Sequence, residues 1–504
     1  MIKMYINNCT EMIAQWLGPV YDRRVSLIVL FVLLLTGSLD QVAAQGANSA
    51  KAPRKPNIIY ILADDMGYGD LSCYGQQRFQ TPNIDRIARD GIQFMQHYAG
   101  TAVCAPSRSS LMTGQTTGYT PIRGNSTGNK KPASLPDTVI TIAELMKQAG
   151  YATGAFGKWG LGAVGSEGDP NKQGFDEFYG YISQGLAHSY YPDFLVHNQQ
   201  KVILEKNLPD KKVEYAPDLI HQQVLHFIDK NRDRPFFIYY PTTIPHAELA
   251  APEKYMARFR GKLLPEKTFK GVSYGAPNYK KGGYESQPEG HAAFAAMITL
   301  LDHQVGEILD RLKQYGLDDH TLVIFSSDNG PHLEGGADPE YFNSNGPYRG
   351  YKRDLYEGGI REPMLARWPG HIAAGSKTDR ITAFWDVMPT LAELVHVKTP
   401  ANTQGLSFLP TLLGKGTQKE HDHLYWEFHE FGGRQAIRKG RWKYIVYNVL
   451  NKEKRKAQLF DLDKDPGEQE DIALQYPDVV KELQEVMEQS RVPAPQFPFI
   501  ESLK

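Results

Sequence analysis

The segment Asn57-Ile58-Ile59-Tyr60-Ile61-Leu62-Ala63 is a near-continuous apolar run that ends at two acidic residues, Asp64 and Asp65. Such a run predicts a strand buried on both faces, as is typical of a parallel sheet. Similar runs lie elsewhere in the chain, and segments with helical character lie between them. This alternation predicts an α/β fold whose parallel sheet is covered by helices on both faces. The further strand-like runs are 151–156, 235–240 and 321–326, and the helical segments are 81–90, 104–114, 141–148 and 289–314.

The sequence pattern changes after about residue 405. Three short segments, 424–428, 435–438 and 441–447, have strand character and are followed by a helical segment at 477–490. Short neighbouring strands of this kind favour an antiparallel sheet. We therefore predict an N-terminal catalytic domain over residues 45–404 and a smaller C-terminal subdomain, with an antiparallel sheet, over residues 405–504.

Residues 1–44 have the features of a leader with a signal peptide. Arg23 and Arg24 precede an almost wholly apolar stretch, and Val42-Ala43-Ala44 is a small-residue cleavage site. The apolar stretch is shorter than the ~20 residues that span a bilayer comfortably. We expect an exported protein, periplasmic or extracellular after cleavage near Ala44, and a retained membrane anchor is the alternative.

The charge balance of the chain limits its partners. Its 504 residues include 56 Lys and Arg against 57 Asp and Glu, which gives a net charge of −1. No general basic field is available for a polyanion, and we therefore expect no nucleic-acid partner. The sequence does not define an oligomeric state.

The run Cys104-Ala105-Pro106-Ser107-Arg108-Ser109-Ser110-Leu111-Met112-Thr113-Gly114 carries the most specific motif. Proline suits a first helical turn and glycine a helix end, so Cys104 is predicted at a helix N-terminus, where anions are favoured. Arg108, one turn in, can direct its always-charged guanidinium at an anion. The alternative is an inert, buried cysteine beside a capped helix.

This run resembles the sulfatase signature C-x-P-S-R-x-x-x-x-T-G at every fixed position. The resemblance implies that a formylglycine-generating maturation enzyme oxidises Cys104 to formylglycine, an aldehyde that hydrates to a diol. One hydroxyl of the diol then attacks the sulfur of a sulfate ester, and the other expels sulfate when the aldehyde re-forms. Arg108 would bind the sulfate.

Acidic and amide side chains follow two of the predicted strands. Asp64 and Asp65 end the first strand, and Asp328 and Asn329 follow the run 321–326. Their oxygens suit a hard divalent cation such as Ca²⁺, although Asp and Asn also occur in turns for backbone reasons alone. The resemblance implies that these four residues, with the modified Cys104, hold one divalent cation.

The segment Gly157-Lys158-Trp159-Gly160-Leu161-Gly162 is similar to the sulfatase block G-K-W-H-L-G with one change. Lys158 matches a sulfate-binding lysine. Gly160 stands where the family has a histidine that assists sulfate release. His188, in the aromatic stretch 183–193, is one candidate to do that work, and a substrate-contacting or solvated histidine is the alternative.

Two further motifs carry the resemblance. His246, in Pro245-His246-Ala247, matches the family histidine near the leaving-group oxygen, and its neutral-range pKa suits a general acid. A hydrogen-bonded loop histidine is the alternative. Lys352 lies in a block similar to R-G-x-K followed by E-G-G-x-R-x-P, and would bind sulfate near the nucleophile.

The resemblance covers most of residues 56–475. It implies an alkaline-phosphatase-like α/β/α sandwich with a small antiparallel C-terminal subdomain, and a sulfuric ester hydrolase of the arylsulfatase-like type. Because the chain has a leader, we expect the substrate to be a sulfated glycan outside the cytoplasm. We expect its sugar to contact residues 183–193, residues 331–348 and the C-terminal subdomain. The alternatives are a phosphodiester or phosphonate ester hydrolase of the same superfold and a sulfoglycan-binding protein that has lost turnover.

Overall fold

The structure is a computed structural model that describes residues 55–125, 133–272, 276–278 and 282–499. The predicted leader, residues 1–44, lies outside this part of the chain. The described residues form fifteen strands, which are β1 (Asn57–Asp64), β2 (Ile92–Tyr98), β3 (Ala152–Lys158), β4 (Glu177–Tyr181), β5 (Phe194–His197), β6 (Gln200–Ile203), β7 (Phe236–Pro245), β8 (Thr321–Ser327), β9 (Arg361–Arg367), β10 (Ser376–Thr378), β11 (Thr382–Ala383), β12 (Leu424–Phe428), β13 (Arg434–Lys439), β14 (Trp442–Tyr447) and β15 (Lys456–Asp461).

The helices of the same residues are α1 (Ile84–Arg89), α2 (Cys104–Thr113), α3 (Ile142–Gln148), α4 (Ala216–Asn231), α5 (Glu253–Met256), α6 (Gly290–Gln314), α7 (Pro339–Phe342), α8 (Glu357–Ile360), α9 (Val387–Leu394), α10 (Leu409–Leu413) and α11 (Pro477–Gln489). Each strand and helix predicted from the sequence is present, with ends shifted by a few residues at most.

The large sheet has the strand order β10-β2-β9-β8-β1-β7-β3-β4-β5-β6, and β11 pairs with β2. The centre of the sheet is parallel as predicted, because β1 pairs in parallel with β7 and β8, and β3 with β7 and β4. The sheet as a whole is mixed. β9 runs antiparallel to β2 and β8, and β4, β5 and β6 pair antiparallel.

The antiparallel pair β5–β6 at the sheet edge was not predicted from the sequence, for a physical reason. β5 and β6 are joined by the two-residue turn Asn198-Gln199, and so short a connection permits only antiparallel pairing. β6 is largely exposed, so it carries no continuous apolar run of the kind that marks a buried strand.

Helices cover both faces of the large sheet. Ile59 and Ile61 of β1 belong to one core cluster with residues of α1, α4 and α6, whereas Ile58, Tyr60 and Leu62 belong to a second cluster with residues of α2, α3 and α9. Burying each such aliphatic side chain stabilises the fold by about 1.5–3 kcal/mol. The architecture is the predicted α/β/α sandwich.

The small sheet, β12-β13-β14-β15, is antiparallel and falls within the predicted C-terminal subdomain. One of its faces packs on α11 through Leu483 and Met487. Its other face packs on the large domain, where Trp426 and Phe428 share a core with Val103, the residue that precedes α2. The small sheet thus supports the start of the helix that carries Cys104.

Helix α6 is long and apolar enough to cross a bilayer, but 89 % of its most apolar window is buried inside the protein. It packs against β7 and α4 in the first core cluster. Its apolar character is therefore that of a core helix.

Candidate active site

The carboxyl ends of the central strands bring the predicted site residues together. Asp64 of β1 pairs with Pro245 of β7, and Ala63 pairs with Ser327 of β8. His246 therefore follows on one side of β1 and Asp328-Asn329 on the other. Ligand crevices of open α/β sheets lie at this edge.

Asp64 and Asp65 both direct their carboxylates to the same centre, although consecutive strand residues normally point to opposite faces. Asp65 has a φ of 62°, a left-handed conformation that costs a non-glycine residue about 1–3 kcal/mol. The backbone N–H of Asp65 donates to Oδ1 of Asp328 at 3.1 Å, which supports this turn. Strain at the end of β1 thus assembles the acidic pair.

Cys104 opens helix α2 and is buried against this pair. Its Sγ lies 3.3 Å from Oδ1 of Asp64 and 3.7 Å from Oδ1 of Asp65. Pro106 lies in the first turn, and Gly114, with a φ of 66°, ends the helix as predicted. Burial and the neighbouring Asp64 raise the pKa of the Cys104 thiol well above its ordinary value, so a thiolate is disfavoured here.

Two lysines hold the acidic pair from separate elements. Nζ of Lys158, at the end of β3, donates to Oδ2 of Asp64 at 2.8 Å, and Nζ of Lys352 donates to Oδ2 of Asp65 at 2.7 Å. Burial opposes ionisation of both carboxyls, but Lys158 and Arg108 lower the pKa of Asp64, and Lys352 lowers that of Asp65. Both carboxylates are therefore ionised and paired.

The residues predicted as metal ligands fit a divalent cation. Three of them, Asp64, Asp65 and Cys104, offer ligand atoms within 4.8 Å of one another and of His246, which was not predicted as a ligand. Oδ1 of Asn329 is buried without a hydrogen-bond partner among the described residues. Burial and the neighbouring Asp64 raise the pKa of Asp328 to about 7, and a bound cation would favour its ionised form. These ligands are buried, acidic and rich in oxygen, and they therefore suit a hard cation such as Ca²⁺.

His246 lies next to the carboxylate of Asp65. Its Nδ1 hydrogen-bonds to the carbonyl oxygen of Ala247, its Nε2 lies 3.2 Å from Nζ of Lys352, and the same Nε2 is 3.4 Å from Oδ2 of Asp65. Burial and Lys352 hold the pKa of His246 well below its ordinary value despite Asp65. At rest His246 is neutral, and its Nε2 accepts a hydrogen bond from the ammonium group of Lys352.

Several residues that the motifs did not identify line the same centre. The rings of His188 and His332 stack on His246 at centroid distances of 5.1 and 5.8 Å, and Tyr284 lies 5.4 Å from His188. Glu334 forms an ion pair with Arg353, the residue that follows Lys352. His332 and Glu334 fall within the stretch 331–348 that the sequence flagged for sugar contacts, but no spacing singled them out.

His188 is not the side chain nearest to Gly160. The ring of His188 bonds the carbonyl of Gly282 through Nδ1 at 3.1 Å and stacks on His246. The side chain next to Gly160 is Gln184, whose Nε2 lies 2.2 Å from the place that a Cβ at Gly160 would take. The sequence could not identify this residue, because a glutamine in a loop carries no motif.

Comparison with known proteins agrees with this geometry. The model of the sulfatase family matches residues 56–397, and the model "N-sulphoglucosamine sulphohydrolase, C-terminal" matches residues 348–493. The chain is 31 % identical to N-acetylgalactosamine-6-O-sulfatase of Bacteroides thetaiotaomicron over 91 % of this chain and 96 % of that one. It is 32 % identical to human N-acetylgalactosamine-6-sulfatase, over 73 % of this chain and 68 % of that one.

Among solved structures, that of Ps i-CgsB in complex with k-i-k-neocarrahexaose superposes with a TM-score of 0.72. The identity is 29 %, and the match covers 89 % of this chain and 95 % of that one. The fold is thus the alkaline-phosphatase-like one, and its site is that of a sulfuric ester hydrolase. The chain belongs to the sulfatase family.

Proposed function

We propose that this enzyme is exported and removes sulfate from a sulfated glycan. The observation that carries the proposal is the buried cluster in which Cys104, at a helix N-terminus, faces Asp64 and Asp65 while Lys158 and Lys352 pair with those carboxylates. Two relatives are named as N-acetylgalactosamine-6-sulfatases, and a structural neighbour is in complex with k-i-k-neocarrahexaose. These names support a glycan as the substrate class.

The nucleophile in this proposal is Cys104 after its conversion to formylglycine, which would supply a hydrated aldehyde. The raised pKa of the thiol supports the need for conversion, because an unmodified Cys104 remains protonated. Asp64, Asp65, Asp328, Asn329 and the modified Cys104 would hold the cation, which would polarise the sulfate ester as a Lewis acid. Calcium is the ion that the oxygen-rich ligand set favours.

The remaining residues bind sulfate and move protons. Lys158 and Lys352 carry ammonium groups whose pKa values stay raised by the buried carboxylates in spite of burial, so both can attract an anionic ester. Arg108 adds a permanently charged guanidinium. The Nε2 atom of His246 accepts a hydrogen bond from the Lys352 ammonium, so His246 would relay a proton from Lys352 to the oxygen of the departing sugar.

Export rests on the sequence of the leader. Fractionation of cells that express the full chain, with N-terminal sequencing of the product, tests it. We expect mature protein that begins near Gln45 outside the cytoplasm. A cytoplasmic product that retains residues 1–44 would contradict export.

The activity is tested with protein matured by a formylglycine-generating enzyme. Released sulfate is measured by ion chromatography from position-defined sulfated monosaccharides, carrageenan oligosaccharides, an aryl sulfate and an aryl phosphate. We expect sulfate release from at least one glycan and a preference for the aryl sulfate over the aryl phosphate. A preference for phosphate would favour the phosphoester alternative, and tight binding of a sulfated sugar without release would favour a binding protein.

A further inference from the structure

The side chain of Gln184 fills the space beside Gly160. Gly160 has a φ of 71°, a left-handed conformation that favours glycine, and a Cβ there would meet Nε2 of Gln184 at 2.2 Å and Cδ at 2.9 Å. The absence of a side chain at residue 160 therefore makes room for the amide. Nε2 is buried, and within the described part of the chain it has no hydrogen-bond partner.

The backbone fixes Gln184 between two parts of the active site. The N–H groups of Trp159 and Gly160 donate to the carbonyls of Tyr181 and Ile182, at 2.9 and 3.3 Å, which joins the segment after Lys158 to the loop that carries Gln184. The carbonyl of Gln184 then accepts from Ala187 at 3.2 Å, in the 3₁₀ turn Leu186–His188.

The same turn places the ring of His188 on that of His246. Burial and, after it, the charge of Lys158 lower the pKa of His188 to about 4. One short loop thus presents an amide beside the Lys158 segment and an imidazole beside His246.

A buried amide N–H without a partner is costly in a folded protein, and most such groups are satisfied by protein or water. A donor left open beside a sulfate-binding lysine is satisfied when an anionic oxygen arrives. A primary amide neither takes nor gives a proton near neutral pH, so it can bind and orient a ligand but cannot act as a base.

We propose that Gln184 is a sulfate-binding residue, which donates its Nε2–H to a sulfonyl oxygen of the substrate beside Lys158. This inference rests on the proposed function, since it concerns how that site holds its substrate. Gln184 supplies a neutral hydrogen bond where Arg108, Lys158 and Lys352 supply charge. It contributes to substrate and product binding and leaves proton transfer to other groups.

Two variants separate the hydrogen bond from packing. Gln184→Met keeps the length of the side chain and removes the donor, and Gln184→Glu keeps the shape and adds a negative charge next to the sulfate. The control is Gln199→Met, at an exposed position in the β5–β6 turn. Each matured variant is assayed for kcat and KM on an aryl sulfate, for inhibition by inorganic sulfate at constant ionic strength, and for its thermal midpoint.

We expect Gln184→Met to weaken inhibition by sulfate and lower kcat/KM by about 10- to 100-fold, the loss typical of a hydrogen bond to a charged group. Gln184→Glu should lose more, and Gln199→Met should match the wild type. Sulfate inhibition within twofold of wild type in both Gln184 variants would overturn the proposal. A lowered thermal midpoint with unchanged sulfate inhibition would also overturn it, because that result would indicate that Gln184 only packs against its neighbours.

The outcome also separates this inference from the proposed function. If the wild type released no sulfate from any substrate, the proposed function would fail. Calorimetric titration of inorganic sulfate into wild type and Gln184→Met would then still decide the role of Gln184, because binding does not require turnover. Equal affinities in that titration would remove Gln184 from the sulfate site.

Discussion

Arg108 holds Asp328 with two nitrogens of one guanidinium. Its Nε lies 2.9 Å and its Nη2 2.8 Å from Oδ2 of Asp328, and both side chains are fully buried. The remaining nitrogen, Nη1, donates to the carbonyl of Lys158 at 2.6 Å. Arg108 therefore ties helix α2 to the ends of β8 and β3, in addition to the sulfate contact that the sequence predicts.

The first prediction concerns Asp328, the proposed metal ligand that Arg108 holds. Asp328→Asn removes one negative charge from a site suited to a hard cation, so bound divalent metal and sulfatase turnover should fall together. Metal content is measured by mass spectrometry of the purified enzyme. Asp302→Asn is the control, because that buried carboxylate caps α1 through Asn83 and Ile84, away from the proposed ligands. Full metal content and activity in Asp328→Asn would refute the ligand assignment.

Replacing the proposed nucleophile should abolish turnover without unfolding the protein. Cys104→Ala leaves no group that can be converted to the aldehyde, so the chemical step loses its covalent route. The matched variant is Cys73→Ala, which changes the other cysteine of the described residues and should remain active. In the wild type, the peptide that contains Cys104 should be lighter by mass than its thiol form. Full activity in protein whose Cys104 is entirely thiol would contradict the mechanism.

His246 should matter most for poor leaving groups. A sugar hydroxyl needs a proton as it departs, whereas an activated aryl oxide leaves without one, so His246→Gln should slow glycan turnover about 10²–10⁴-fold and aryl sulfate turnover far less. His303→Gln, whose side chain is 57 % exposed, serves as control. Equal losses on both classes of substrate would argue against proton donation by His246.

The last prediction concerns stability at the junction of the two sheets. Nζ of Lys443 in β14 lies 2.8 Å from Oε1 of Glu357 and 3.1 Å from Oε1 of Glu468, all three being buried. Burial and the nearby Glu357 raise the pKa of Glu468 to about 7 in the folded protein, against about 4.3 for an unfolded chain. Its contribution to stability is therefore complete below about pH 4.3 and is lost as the pH rises through 7.

Glu468→Gln removes that loss, because the amide resembles the protonated acid. The free energy of unfolding of Glu468→Gln relative to wild type should thus rise between pH 5 and pH 8, as measured by urea denaturation across that range. Glu470→Gln, at an exposed position, should run parallel to wild type. Parallel curves for Glu468→Gln would show that residue 468 does not titrate in this window.

The sequence alone determined the central strands, the helices between them and the motif residues of the site. Buried strands are recognisable because both faces of a central strand are apolar, as in β1, and the site residues are recognisable because they sit at strand ends or in a fixed run such as Cys104-Ala105-Pro106-Ser107-Arg108. The edge strand β6 was missed because it is short and exposed, and so has no apolar run.

Only the tertiary structure decided which loop residues complete the site. His332 and Glu334 reach Asp65 and Lys352 because β8 lies next to β1, and Gln184 reaches Gly160 because β4 pairs with β3. These neighbours are set by strand order and backbone hydrogen bonds between distant segments, neither of which leaves a periodic or spaced pattern in the chain. The acidic pair likewise depends on the left-handed turn at Asp65, which a tertiary hydrogen bond from its own N–H to Asp328 supports.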